Sequence, residues 1–332
     1  MRNIKCVFLL LFLPPSFGEL LSGNAPPLRF FQPLMLLIFV LLYGCGTLLI
    51  REARVRWNLQ WSVVFLAVAY AIVEEGLTTK AIFNTEWKGV APFSAYGMAW
   101  GVQWVWAIGV FFVHATVSTL VPIAIVDNLW PAKRDAVFLG KPALILTTAG
   151  FCSVILLGML SFGNVEGRDV ITFFPEQPLL AITFAMVILL CWLASCFRSR
   201  RAQTSFLLLF PPTVFAVAGF AAQAFFLIIP NEMLKRGIPG PTAVVVVLLF
   251  VCLVLLFVFL EVYHRAVTRR HITALVIGSL APYILLTPVH EFLRFSASAN
   301  PKTGMTAVGI LTTVLLLAWR HAVLKREQVN PI

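Results

Sequence analysis

The sequence predicts an all-α protein, a polytopic bundle of about ten membrane-spanning helices. Three observations predict it. The chain is 60% hydrophobic and 12% charged, with a mean hydropathy of +0.92. Soluble domains carry about 25% charged residues, so this composition cannot supply a polar surface and lipid must act as solvent. The apolar residues fall in blocks near the ~20 residues that cross a ~30 Å hydrocarbon core. The basic residues collect in short clusters between those blocks.

The expected spans are residues 4–22, 33–50, 59–82, 103–126, 143–162, 178–197, 205–229, 241–262, 272–290 and 303–320. The first is broken by Pro14-Pro15 and has two readings. It is a secretory signal, with "MRNIK" as n-region and "SFG" as cleavage site, which leaves nine spans. Or it is a retained, broken helix, tolerated where protein rather than lipid surrounds it. Retention is the favoured reading. The loops are short, so residues 1–332 read as one integral membrane domain without a soluble appendage.

The basic residues orient the bundle. Of the 25 lysines and arginines, 17 fall on the side that holds both termini and 8 on the other. The positive-inside rule then places both termini in the cytoplasm. The net charge of +11 is therefore a topology signal, and the expected partner is the lipid bilayer, not nucleic acid. The six cysteines form no C-x-x-C pair, and "HEFLR" at 290–294 lacks the second histidine of a zinc helix. No metal and no other cofactor is expected. No phosphate-binding loop is present, which argues against a pump driven directly by ATP.

The residues that break the apolar pattern are the functional candidates. The third block reads "VAYAIVEEGLTTKAIFN", with Glu74 and Glu75 inside it. A carboxylate at mid-membrane costs about 2.5–3.5 kcal/mol, less towards the interface. Adjacent residues point about 100° apart on an α-helix, so at least one must face protein or a polar cavity. In the fourth block, Gln103, His114 and Ser118 fall on one helical stripe, below an interfacial belt of Trp100, Trp104 and Trp106. The third and fourth spans are antiparallel, so Glu74 and His114 are expected at similar depth. A carboxylate–imidazole pair in a dry site can activate water, which makes Glu74, Glu75 and His114 candidate catalytic residues. Gln103, Ser118, Glu19, His290 and Glu291 are candidate substrate-binding residues. Glu19, the glutamate pair, His290 and Glu291 are all expected near the same leaflet, where one polar cavity can gather them. Arg51-Glu52 reads as an interfacial charge pair, and the segment from Tyr43 to Thr47 as small-residue packing.

Two adjacent glutamates followed by a histidine on the next helix resemble the CPBP family, also called ABI or CAAX-protease-like membrane proteins. The motifs are E-E-x-x-x-R and F-x-x-x-H. Glu74-Glu75 match the carboxylates and His114 the histidine, while Thr79 stands at the arginine position and Val110 at the phenylalanine. The resemblance covers about residues 60–120 and implies a glutamate-dependent intramembrane protease. The strings "PPSFGELLSGNAPP" and "EEGLTTKAIFN" also resemble an uncharacterised bacterial polytopic family, which implies the bacterial cytoplasmic membrane. Three functions stay open on the residues: an intramembrane hydrolase, a transporter or channel with an ion or proton relay, and a non-catalytic assembly subunit.

Overall fold

A computed structural model describes residues 3–87, 93–161, 173–197, 210–262, 267–292 and 302–329. Among these residues it is a helical bundle, and the only strands are the two-residue pair Met98–Ala99 and Val102–Gln103. Among the described residues, nine helices are long and apolar enough to cross a membrane. They are Ile4–Leu21, Pro33–Arg56, Trp104–Leu129, Lys141–Ser161, Gln177–Cys196, Pro212–Lys235, Gly240–Glu261, Arg269–Phe292 and Met305–Glu327. A shorter helix occupies the third predicted block. It runs from Val63 to Ile72 and continues through a π-helical turn at Val73–Thr78. In chain order these ten segments are called the first to the tenth helix.

Proline sets several helix starts. Pro33, Pro178, Pro212 and Pro241 occupy the first or second helical position, where the missing N–H is one the helix would leave unbonded anyway. This corrects the seventh predicted span: Pro211-Pro212 opens the helix instead of lying inside it. In the first helix, by contrast, Pro14-Pro15 sit within a continuous run. Cys6 and Leu10 of that helix have no exposed surface, so it packs as part of the bundle.

The third helix ends sooner than the 59–82 expected for it. The chain leaves the helix at Thr79, and Lys80 takes a φ of 58°. Lysine rarely adopts the left-handed region, so the helix cannot continue through that residue. The side chain of Lys80 is buried, and its Nζ donates to the carbonyl of Met159 at 2.9 Å.

Side-chain contacts sort the loops into two ends, as an alternating antiparallel bundle requires. At one end Arg51 donates to the carbonyls of Lys133, Arg134 and Ala136 at 2.8, 3.0 and 2.5 Å. Arg54 pairs with Asp127 at 2.6 Å, and Arg326 bonds the carbonyl of Leu129. Arg51 and Glu52 form the charge pair the sequence implied, at 3.1 Å, but both are buried and together clamp the 133–139 loop. At the other end, Tyr96 donates to the Ile238 carbonyl at 2.9 Å, and Gln103 to that of Ala81 at 3.2 Å.

Two apolar clusters fill the interior. One joins the first three helices through Leu10, Leu48 and Tyr70. The other joins the first, fourth, ninth and tenth through Phe17, Val117, Leu280 and Trp319. The helices Lys141–Ser161, Gln177–Cys196 and Gly240–Glu261 instead leave most of their side chains exposed, as lipid-facing helices do. The seventh and ninth helices touch backbone to backbone: a Cβ on Gly278 would stand 2.0 Å from the carbonyl oxygen of Ala216. Replacing Gly278 with Val should therefore force these helices apart, at a cost of about 1–3 kcal/mol. Thermal unfolding of the purified protein checks this, with a clear fall in Tm for G278V and almost none for Leu285→Ala on the exposed face.

Candidate functional site

Four π-helical turns meet near one end of the bundle. They are Ser16–Leu21 in the first helix, Val40–Gly44 in the second, Val73–Thr78 in the third and His114–Leu120 in the fourth. A π turn is wider than an α turn and is concentrated at functional sites. Threonine stabilises two of these. Thr78 and Thr79 donate to the carbonyls of Val73 and Glu74 at 3.1 and 3.2 Å, and Thr119 donates to that of His114 at 3.0 Å. Each bond spans five residues, so it satisfies a carbonyl that the widened turn leaves without its α-helical partner.

The turns carry Glu19, Tyr43, Glu74, Glu75, His114 and Ser118 into one buried cluster. Glu74, Glu75 and His114 are 1, 7 and 4% exposed, so neither carboxylate reaches solvent. The imidazole stands between them. Its Nε2 lies 3.1 Å from Glu75 Oε1, and its Nδ1 lies 3.3 Å from Glu74 Oε2. Nδ1 is also 3.3 Å from the Ser118 hydroxyl. A ring nitrogen carries at most one proton, so Nδ1 cannot serve both neighbours. The Glu74 contact has ion-pair distance without hydrogen-bond alignment, and Glu74 Oε2 is a buried atom with no hydrogen bond.

A second shell holds this triad. Thr79 Oγ1 donates to Glu75 Oε2 at 3.2 Å. The Tyr43 hydroxyl donates to Glu19 Oε1, and the Tyr43 ring lies 5.7 Å from that of His114. Tyr70, one turn before Glu74, turns its hydroxyl to the same pocket and has no hydrogen-bond partner there. Ser118 is held through its carbonyl by Thr47, at 3.1 Å. Gly18 makes the assembly possible, because a Cβ there would stand 2.5 Å from Ser118 Oγ and 2.9 Å from the Tyr43 ring.

The other candidates lie elsewhere. Gln103 is not on a helical stripe with His114 and Ser118. Gly97 and Gly101, with φ of 68° and 75°, turn the chain into a small hairpin, and the helix starts only at Trp104. Gln103 ties that hairpin down, its amide donating to the Ala81 carbonyl and its Oε1 accepting from the Ala95 N–H at 3.1 Å. Trp100, at the hairpin tip, is fully outside the helix and well exposed. Glu291 caps the tenth helix, accepting from the N–H groups of Gly304 and Thr306 at 3.0 and 2.7 Å. His290 packs on the Gly23 turn, with Nδ1 3.3 Å from Lys302 Nζ. Burial lowers the proton affinity of Lys302 below that of an ordinary lysine. Arg294, three residues after Glu291 and so spaced to pair with it on a helix, lies outside the described residues. The single cavity expected to gather all the acids thus contains Glu19, Glu74 and Glu75, while His290 and Glu291 serve the neighbouring loop.

The sequence did not single out Tyr43, Tyr70 or Thr79 as site residues. A tyrosine buried at mid-helix needs a partner for its hydroxyl, and that is the signal that could have found the first two.

The sequence model of a family described as an uncharacterized membrane protein family matches residues 8–326. No curated protein and no solved structure matches the chain. The matched region spans every residue of the cluster.

Removing the Tyr43 hydroxyl should leave the half-buried Glu19 carboxyl without its donor. Tyr43→Phe is expected to cost about 1–3 kcal/mol, seen as a lower Tm, whereas Ser118→Ala, which removes only a 3.3 Å contact, should shift Tm far less.

Proposed function

This chain belongs to that uncharacterised membrane protein family, and we propose that it is an intramembrane hydrolase centred on Glu74, Glu75 and His114. The observation that carries the reading is the unpartnered Glu74 oxygen beside an imidazole already fixed by a second carboxylate. A buried base with a free lone pair, next to an oriented ring, is the equipment that water activation needs.

The chemistry follows from these groups. Glu74 takes a proton from water as the oxygen attacks an acyl carbon of a membrane-embedded substrate. The carbonyl oxygen gains the charge, and the Tyr70 hydroxyl and the His114 ring are the donors available to stabilise it. The tetrahedral centre then collapses. Its bond to the leaving nitrogen or oxygen breaks, and the proton held by Glu74 passes to that atom. Glu75 keeps the ring oriented and Thr79 keeps Glu75 oriented, as a third group does in other nucleophile–base arrangements. The resemblance to glutamate-dependent membrane proteases at Glu74-Glu75 and His114 points the same way.

On the same reading both termini face the cytoplasm and the cluster lies buried towards the outer leaflet of a bacterial cytoplasmic membrane. The 17-to-8 division of basic residues supports this. In a cysteine-free background, K302C should react with a membrane-impermeant maleimide in intact cells and R134C should react only after lysis. The reverse pattern would invert the topology.

The test of activity is product formation. The full chain in lipid nanodiscs is incubated with a library of synthetic membrane-spanning peptides and lipid esters, and the products are read by mass spectrometry. Glu74→Gln and His114→Ala should each reduce turnover by at least about 10²-fold while leaving Tm near that of the parent. Turnover that survives both substitutions would sink the proposal. So would a parent protein that forms no product but conducts protons across liposomes in a Glu74-dependent way, which would identify a relay.

A further inference from the structure

The centre has more negative charge than its protein partners can balance. Glu74 and Glu75 face a single imidazole, and among the described residues no lysine or arginine forms an ion pair with either. With both carboxylates ionised, even a protonated His114 would leave one negative charge in a buried site, which a retained proton or a bound cation neutralises.

We infer that Glu74, Glu75 and His114 bind a divalent transition-metal cation of the zinc class. Three observations converge on this. First, one ligand atom from each of the three residues lies within 4.8 Å of the others. The pair best placed is His114 Nε2 and Glu75 Oε1, 3.1 Å apart. Zinc bonds to imidazole nitrogen and carboxylate oxygen at about 2.0–2.2 Å, so adjacent ligands of a tetrahedron stand about 3.4 Å apart. Those two atoms already stand at nearly that separation, and Glu74 offers a third ligand atom within 4.8 Å of both.

Second, the outer contacts are those that ligand residues need. Thr79 engages Oε2 of Glu75 and leaves Oε1 for the ion. Ser118 lies beside Nδ1 of His114, so an Nδ1 proton can rest on the serine and the Nε2 lone pair faces Glu75. A ligating histidine characteristically fixes its tautomer this way. Third, polar atoms in the pocket are unspent. The Tyr70 hydroxyl belongs to a residue 3% exposed, faces Glu74 and has no hydrogen-bond partner, and neither has Glu74 Oε2. Both can be satisfied by an ion and a water bound to it.

The donor set selects among cations. Two carboxylates and one imidazole suit zinc, manganese or iron, whereas magnesium and calcium prefer oxygen alone and copper(I) prefers sulfur. Three protein ligands leave a fourth position for water, as in catalytic zinc sites. The sequence offered no metal signal because the ligands come from two helices and share no motif. The site uses the residues of the proposed hydrolytic centre, but ion binding does not require that hydrolysis occur.

Untagged full-length protein is stripped with a chelator and titrated with zinc, and bound metal is counted by mass spectrometry after gel filtration. About one zinc per chain is expected. His114→Ala and Glu75→Gln should weaken zinc binding by more than 100-fold, and Thr79→Val by about 10–100-fold through loss of the orienting bond. Cobalt in place of zinc should give visible absorption bands of low-symmetry, four-coordinate character in the parent protein, which needs no variant to fold. A stripped protein that takes up no more zinc than His114→Ala overturns the inference. One zinc per chain, lost in His114→Ala, without any hydrolysis upholds the site and removes the hydrolase.

Discussion

Two glutamates adjacent in sequence stay inside this bundle because one imidazole stands between them. In a medium of low polarity each carboxylate must find a donor or a cation, and the cost of failing grows with burial. His114 meets Glu75 with one nitrogen and Glu74 with the other. That bridge fixes how the third and fourth helices face each other. The widened turns, the threonines that support them and the glycine at position 18 then follow as the local geometry that makes the bridge fit. An ordinary α-helix would point two consecutive side chains about 100° apart. The π turn at Val73–Thr78 lessens that divergence, and both acids enter the same pocket.

Much of the architecture was legible. The blocks of apolar residues located all ten helical segments, because segment length against bilayer thickness is a strong constraint. Among the described residues, the basic loops at Arg51–Arg54 and Lys133–Arg134 and the residue Arg326 meet at one end. What failed were boundaries. The third helix stops at a left-handed Lys80, and the seventh opens at Pro212, with residues 205–209 of its expected span outside the described residues. A hydropathy reading does not see the backbone conformation that ends or opens a helix.

The site was legible where charge met apolar surroundings and illegible elsewhere. Glu74, Glu75 and His114 stood out because lipid-facing segments exclude them. Glu19 and Ser118 joined the cluster for reasons of depth and spacing that the fold preserves. Tyr43 read as part of a small-residue packing segment, and Tyr70 was not taken as a site residue because its hydroxyl carries no charge. Gln103 misled because a stripe drawn at helical spacing assumes a helix, and two glycines had already turned the chain into a hairpin. His290 and Glu291 were placed at the correct end, but their partners come from loop backbone and a lysine.

The Glu19–Tyr43 bond has a consequence for how the chain enters the bilayer. Glu19 is made first and sits at the far end of the first helix, while its donor arrives only with the second. A lone carboxyl costs about 2.5–3.5 kcal/mol at mid-bilayer and less, but still a penalty, near the end of a span where Glu19 sits. The first helix is thus a poor solitary passenger, and it becomes comfortable in lipid only as one arm of a hairpin. Biogenesis of the protein should accordingly begin with the two segments partitioning together.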